Sequence, residues 1–332
     1  MRVKVLIGRF QPFHSEHKRL IDSAMIGANK IIIIIGSANQ PRSIKNPWTF
    51  QERKNMILAC YPYGDKLVIE PLRDISYNDQ QWAAGVQKIV NQNTSELDII
   101  ELIGHEKDET SFYLRMFPQW SRIDHKMDDS VSATSVRDLY FSGASPKLYS
   151  GALPNTTNAA LSLFRAGEDY LKLAREYEHI KKYKKSWLAA PYAPTFVTSD
   201  AVVVQSGHVL MVVRGAAPGE GLLALPGGFV NQAERIEDGM LRELREETRL
   251  KVPAPVLKGS IVNRYVFDHP TRSLRGRTIT HAFLIRLPDG KLPPVKGGDD
   301  AAKAMWIPIA DLNPEEIFED HFDIITYLLG GV

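Results

Sequence analysis

Cysteine is almost missing from this 332-residue chain: Cys60 stands alone, so no disulfide forms within the chain and every metal site built from several thiolates is excluded. Cys60 itself reads as a small, partly buried apolar residue. Long apolar runs are missing too. No stretch approaches the roughly 20 residues that span a bilayer, and the N-terminus lacks the apolar segment of a secretory signal, so a cytoplasmic protein with no membrane partner is expected. A large excess of either charge is also lacking, since 41 Lys and Arg against 39 Asp and Glu leave a formal net charge of +2. That gives no broad field for nucleic acid, and anion binding has to be local.

What the chain does have is length for two cores, at about 150 residues per domain. In the first half, short apolar runs alternate with amphipathic segments: VKVLI, a helix near 15–28, KIIIIIG, a helix through TFQERKNMILACY, LVIEPL, a helix through QQWAAGVQKIV, and LDIIELIG. Continuous apolar strands separated by helices imply a parallel sheet covered on both faces, a doubly wound α/β domain. The character changes over 165–194. FRAGEDYLKLAREYEHIKKYKKSWLAA is charged and helical, and Pro191 and Pro194 stop it. The basic run HIKKYKK, residues 179–185, reads as a solvated helix face, because it neutralises too few phosphates to hold nucleic acid. Beyond it, AVVVQSGHVLMVVR predicts a hairpin turning at Ser206-Gly207, with further strands at VNRYVF and THAFLIRL. The second half is therefore α+β.

GRFQPFHSEH, residues 8–17, follows the first strand directly. Gly8 lets the backbone turn tightly, and a helix opening just beyond it offers unpaired N–H groups to an anion. Arg9 adds a guanidinium fork, and His14 and His17, three apart, share a helix face from which both can donate to phosphate. A zinc pair is the rival reading, but no third ligand is evident. Downstream, VSATSVRDLYFSG, residues 131–143, places Ser132 or Thr134 to cap a second helix, with Arg137 one turn further on.

These two segments resemble the G-x-F-x-P-x-H-x-G-H and I-S-x-T-x-x-R motifs of the nucleotidyltransferase superfamily, and the form GRFQPFH is similar to nicotinamide mononucleotide (NMN) adenylyltransferases. The resemblance implies His14, His17, Arg9 and Arg137 on the phosphates of ATP, Ser132 at the second helix start, and Gly8, Phe10 and Thr134 within the ATP/NMN loop set. Glu16 stands where that family has glycine, beside the expected triphosphate. SIKNPWTFQER and SYNDQQW are similar to the segments that close around the nucleotides. Lys45 then replaces an arginine, Trp82 is the expected stacking partner for nicotinamide, and Asn78 and Asp79 are loop polar residues. IGHEKDETSFYLRMFPQW, residues 103–120, resembles the same family, especially forms fused to a second enzyme.

In the second half, Gly228, Glu234, Arg242, Glu243, Leu244, Glu246, Glu247 and Leu250 keep one strict register. Glu243, Glu246 and Glu247, at i, i+3 and i+4, crowd one helix face, a repulsive arrangement that a divalent cation would relieve. This resembles the Nudix box, G-x5-E-x7-R-E-U-x-E-E-x-G-U, with Arg249 in place of its late glycine. The resemblance implies that Gly227 contributes its carbonyl to a metal shell of Glu243, Glu246 and Glu247 and that Arg242 orients the acidic cluster. DHPTRSLRGRTITHAFLI and GGDDAAKAMWIPIADL are similar to the ADP-ribose pyrophosphatase branch, with Arg275 and Arg277 facing ADP-ribose, Asp299 and Asp300 near the site, and Trp306 in the core.

The expected architecture is a doubly wound, Rossmann-like nucleotidyltransferase domain over 1–182, a linker over 183–194 and an α+β Nudix domain (αβα sandwich) over 195–332. The expected activities are NMN + ATP to NAD + pyrophosphate, and Mg2+- or Mn2+-dependent hydrolysis of ADP-ribose to AMP and ribose 5-phosphate. Small-molecule substrates, no nucleic acid and an open question of homo-oligomerisation complete the reading. Two alternatives remain at this point, a non-catalytic Nudix-like sensor of ADP-ribose or NAD, and an N-terminal domain acting on a different nucleotidyl acceptor.

Overall fold

The computed structural model describes residues 1–62, 64–104, 113–125 and 132–330. By contact they divide into two units, Met1–Tyr177 and Glu178–Val332. The first alternates strand and helix: β1 (Arg2–Gly8), α1 (Ser15–Met25), β2 (Lys30–Ile35), α2 (Phe50–Leu58), β3 (Leu67–Pro71), α3 (Asp79–Gln92), β4 (Ile99–Gly104), β5 (Ser121–Asp124), α4 (Ala133–Phe141), α5 (Asn155–Arg165) and the start of α6 (Glu168–Lys185). All five strands are parallel, in the order β3-β2-β1-β4-β5. The residues of β2 explain the layers. Ile31, Ile33 and Ile35 belong to one core and Ile32 and Ile34 to another, all at 0% exposure, so helices must cover both faces. Winding from β1 to β3 and then crossing to β4 on the other edge of β1 opens a crevice at the carboxyl ends of β1 and β4, where open α/β sheets bind ligands.

The second unit contains β6 (Thr195–Gln205), β7 (His208–Arg214), β8 (Leu223–Ala224), β9 (Gly227–Phe229), α7 (Ile236–Thr248), α8 (Ala254–Gly259), β10 (Ile261–Phe267), β11 (Arg277–Arg286), β12 (Ala301–Pro308) and α9 (His321–Leu328). Its mixed sheet runs β10-β11-β6-β7-β12, with β8 on β7 and β9 on β6; β11 is parallel to β6 and the other pairs are antiparallel. The β6–β7 hairpin turns at Ser206 and Gly207, both at positive φ (47° and 74°), the two-residue geometry that matches the twist of paired strands. Met240, Leu241 and Leu244 of α7 pack with Ala201, Val203, Phe283 and Ile285, which leaves the charged face of that helix for other work. Trp306 packs against the same core and donates its indole N–H to the Pro293 carbonyl, 2.9 Å away. α6 runs on to Lys185, and β6 begins at Thr195. No helix among the described residues is long and apolar enough to cross a membrane.

Candidate active sites

β1 ends at Gly8, where a Cβ would sit 3.0 Å from the Phe10 ring and crowd it as Phe10 folds back beneath the turn. Phe10 takes a φ of +52°, is buried, and meets the edge of His17 at 4.8 Å between ring centres. α1 then opens on His14. The His14 Nδ1 accepts from the His17 N–H at 3.4 Å, the His17 Nδ1 accepts from the His14 N–H at 3.3 Å, and the rings stack 3.5 Å apart. Two histidines thus form the reciprocal box that Ser and Glu usually form. Because each Nδ1 accepts, each ring keeps its proton on Nε2, the atom with which it can donate to a phosphate. Burial, then His14, holds His17 well below the ordinary histidine range, so it is a neutral donor.

Three cations gather around this helix start. Arg137 on α4 donates to the Gln11 carbonyl and to the Thr134 Oγ1 (3.1 Å), and burial, then Arg9, lowers it to about 10. Lys45 is lowered by burial, Arg9 and Arg137 and is opposed by Asp74. Ser132 occupies the first cap position of α4, but its side chain makes no capping bond, and Thr134 serves Arg137 instead; the expected hydroxyl cap is absent because both hydroxyls lack the N-terminal N–H partner. Glu16 is buried and paired with Arg19 at 2.9 Å, so it meets a cation within its own helix. Trp82 packs on Tyr113 and Phe117 in the second core, and the Tyr113 hydroxyl donates toward the Ile7 carbonyl (3.5 Å), which links that aromatic group to the end of β1. Asn78 caps α3 at the Gln81 N–H. Residues 105–112 of the segment 103–120, and Val131, lie outside the described residues.

Sequence reasoning missed Arg53 and Asp74. Arg53, 1% exposed on α2, donates to the carbonyls of Arg9 (2.6 Å), Gly36 (2.7 Å) and Ser37 (3.0 Å), fastening the loops after β1 and β2 to each other. Asp74 receives the Ser37 N–H at 3.0 Å, which holds Ser37 at a φ of +48°. Asp74 was findable, since it follows the carboxyl end of β3, where this topology gathers ligand groups. Arg53 was not: nothing in TFQER tells a buried arginine from a solvated one.

The second site is built on α7. Arg242 grips Glu234 with two parallel bonds (3.0 and 2.7 Å), reaches Glu243 (2.8 Å) and Glu246 (3.0 Å) with Nη1, and donates to the Phe229 carbonyl (3.2 Å). This pairing pulls Glu234 down to about 2. Glu247 turns inward from its neighbours. It accepts the Gly227 N–H at 2.9 Å, and burial pushes it up to about 8 against that bond. Carboxylate oxygens of Glu243, Glu246 and Asp299 lie within 4.8 Å of one another. Hard oxygen donors at that spacing suit a divalent cation, and a Cβ on Gly228 would lie 2.6 Å from the Glu243 carboxylate, so the glycine keeps the cradle open. Asp299 had no place in the expected ligand set of Gly227, Glu243, Glu246 and Glu247. It arrives on a loop whose Lys296 and Gly298 N–H groups bond the Thr248 and Glu247 carbonyls at the end of α7 (2.9 and 3.1 Å).

A cavity of about 320 Å³ opens beside this cluster, lined by Glu243, Glu247 and Asp299 on one side and by Arg214, Arg272, Arg275 and Glu319 elsewhere. Arg275 lies over Phe229, 5.2 Å from the ring centre. Arg277 is not among the cavity residues and pairs with Asp268 at 3.8 Å. Arg249, which takes the position of the missing glycine, ends α7 in the left-handed conformation (φ 49°) that glycine favours there.

Two family models match: Cytidylyltransferase-like over residues 5–139 and NUDIX domain over residues 195–328. The chain is 39% identical to a nicotinamide/nicotinic acid mononucleotide adenylyltransferase from Acinetobacter baylyi, over 52% of this chain and 92% of that one. It is 34% identical to an ADP-ribose pyrophosphatase from Methanocaldococcus jannaschii, over 50% and 87%. A crystal structure of a bifunctional NMN adenylyltransferase/ADP ribose pyrophosphatase from Francisella tularensis superposes with a TM-score of 0.93 at 38% identity, covering 99% of this chain and 98% of that one. A second structure of that kind, complexed with AMP and a manganese ion, gives 0.92 at 37%. With a histidine-capped crevice in one unit and a carboxylate helix in the other, the chain belongs to the family of bifunctional NMN adenylyltransferase/ADP-ribose pyrophosphatases.

Proposed function

We propose that the first unit joins NMN to ATP and that the second hydrolyses ADP-ribose. In the first reaction a phosphate oxygen of NMN attacks the α-phosphorus of ATP, the bond to the β-phosphate breaks, and NAD and pyrophosphate leave. Negative charge grows on the leaving phosphates, and the Nε2–H groups of His14 and His17, with Arg9, Lys45 and Arg137, are the donors that meet it. Gly8, Phe10, Ser132 and Thr134 shape the loops that hold the nucleotides, and Trp82 offers a ring face to nicotinamide. In the second reaction water attacks one phosphorus of the diphosphate, and AMP and ribose 5-phosphate separate. Glu243, Glu246 and Asp299 would hold Mg2+ or Mn2+, with Gly227 and Glu247 beside them; the cation would neutralise the diphosphate and acidify water. Arg242 keeps the carboxylates aimed, and Arg275 faces ADP-ribose, with Arg277 at the edge of that loop. We assign 1–182 to the transferase, 183–194 to a linker and 195–332 to the hydrolase.

The Arg242 contact set carries the hydrolase half of this reading, because one guanidinium set among three carboxylates leaves an excess of negative charge that a divalent cation would balance. Purified protein with Mg2+ or Mn2+ should make NAD and pyrophosphate from NMN and ATP and release AMP from ADP-ribose. Failure of either product removes that half of the reading.

A further inference from the structure

Glu319 sits on the cavity wall in a backbone conformation that its side chain disfavours, with a φ of +45°. Its neighbours are fixed one by one. The Phe318 N–H donates to the Leu223 carbonyl (2.8 Å), Asp320 pairs with buried Arg272 through two bonds (2.9 and 2.8 Å), and the His321 Nδ1 accepts the Leu225 N–H (2.9 Å). The framework therefore holds Glu319 in place at a cost in local strain, a pattern that clusters at ligand sites. Ser273, Arg275 and Arg272 lie near its carboxyl, and among the described residues it forms no direct ion pair.

Glu319 stands outside the Glu243, Glu246 and Asp299 group that would share a cation, so nothing there joins its carboxylate to phosphate, and a part of the substrate that carries no charge suits it. Vicinal hydroxyls are the group it suits, because its two oxygens can accept from both at once, as acidic residues do for ribose in dinucleotide sites. We propose that Glu319 is a specificity residue that grips the cis-diol of one ribose of the nucleoside-diphosphate substrate. This rests on the reading of the second unit as an ADP-ribose hydrolase.

The test uses the full chain with Mn2+ at pH 8, above the raised value of Glu319, so that its carboxyl is ionised. Glu319→Gln should raise the KM for ADP-ribose about tenfold or more while kcat stays within about threefold, as loss of a charge-assisted bond to bound substrate requires. Glu319→Gly removes the backbone strain together with the carboxylate; it should raise KM equally and keep Tm within about 2 °C of the parent. Calorimetric titration with AMP, 2′-deoxy-AMP and ribose 5-phosphate locates the diol. If the adenosine ribose is held, the parent discriminates against 2′-deoxy-AMP and Glu319→Gln does not; if the other ribose is held, only ribose 5-phosphate binding weakens. An unchanged KM in both variants, or a fall in Tm that tracks the loss of activity, overturns the proposal. A parent protein inert toward ADP-ribose overturns the underlying hydrolase reading instead, and the titrations still judge Glu319.

Discussion

Arg53 in the first unit and Glu247 in the second are both ionisable and both buried, yet they are held in different ways. Four backbone carbonyls surround Arg53, those of Thr49, Arg9, Gly36 and Ser37, whereas a single backbone N–H meets Glu247. Guanidinium charge is permanent, so the first site needs only to be aimed, and loop carbonyls and a histidine box do the aiming. Carboxylates at i, i+3 and i+4 repel one another, so the second site coexists only through Arg242 and, in the proposed state, a cation. One site is organised by its own backbone; the other, in the proposed reading, by a cation.

The sharpest way to break this comparison is to silence one site at a time. Glu246→Gln should cut ADP-ribose hydrolysis by at least about a hundredfold, roughly 2.7 kcal/mol, and leave NAD synthesis near the parent rate. His17→Ala should do the reverse, since a lost donor to a developing phosphate charge commonly costs about as much. Assaying both reactions on both variants settles the matter. If either variant slows both reactions, the sites are not independent.

Arg53→Met tests whether the first site really lives in its backbone. Leaving these carbonyls without their buried donor should destabilise the first unit by about 2 kcal/mol and slow NAD synthesis, even at temperatures where the fold persists. Denaturant titration with fluorescence would show the shift. A stability equal to the parent's would mean that water or another group takes over the carbonyls.

This contrast also explains what could be read from the letters. KIIIIIG announced a strand buried on both faces, and the register from Gly228 to Leu250 announced the acidic helix, because periodicity and spacing are local properties. β5, Ser121–Asp124, gave no signal: it is a short polar edge strand that pairs only with β4. Asp299 was noticed beside the site but not as a ligand, since a loop docking on the end of α7 brings it there. Arg214, Arg272 and Glu319 meet across stretches far apart in sequence, and no spacing rule links them.

Acid should affect the two units unequally. Burial lowers His17 below 6.5, so between that folded value and 6.5 the unfolded chain binds more protons and the first unit loses stability as pH falls. In the second unit His321 is lowered in the same way, but burial raises Glu319 to about 7 and Glu247 to about 8, and raises Glu243 too, so above 4.5 and up to those values the folded state holds extra protons and gains as pH falls. Hydrogen exchange at pH 7.5 and 5.5 should therefore show a larger loss of protection in β1 and β2 than in β6 and β11. Equal losses would remove the opposing role given to the raised carboxyls of the second unit, Glu243, Glu247 and Glu319.

The smallest effect belongs to Arg249, the departure from the Nudix pattern. Its left-handed φ costs an L side chain about 1 kcal/mol that glycine avoids, and glycine returns part of that through the freer unfolded chain. Arg249→Gly should therefore change stability by under about 1 kcal/mol. The more telling readout is hydrolysis. A Cβ added at Gly298 would lie 2.9 Å from the Arg249 Nε, so the guanidinium packs on the loop that carries Asp299. Because the Lys296 and Gly298 N–H groups already tie that loop to the end of α7, the arginine is not needed to place the carboxylate, and hydrolysis should stay within about threefold of the parent. A tenfold fall in activity with weaker Mn2+ binding and unchanged stability would assign the placing of Asp299 to Arg249, and the second site would then depend on a side chain where its relatives' pattern has none.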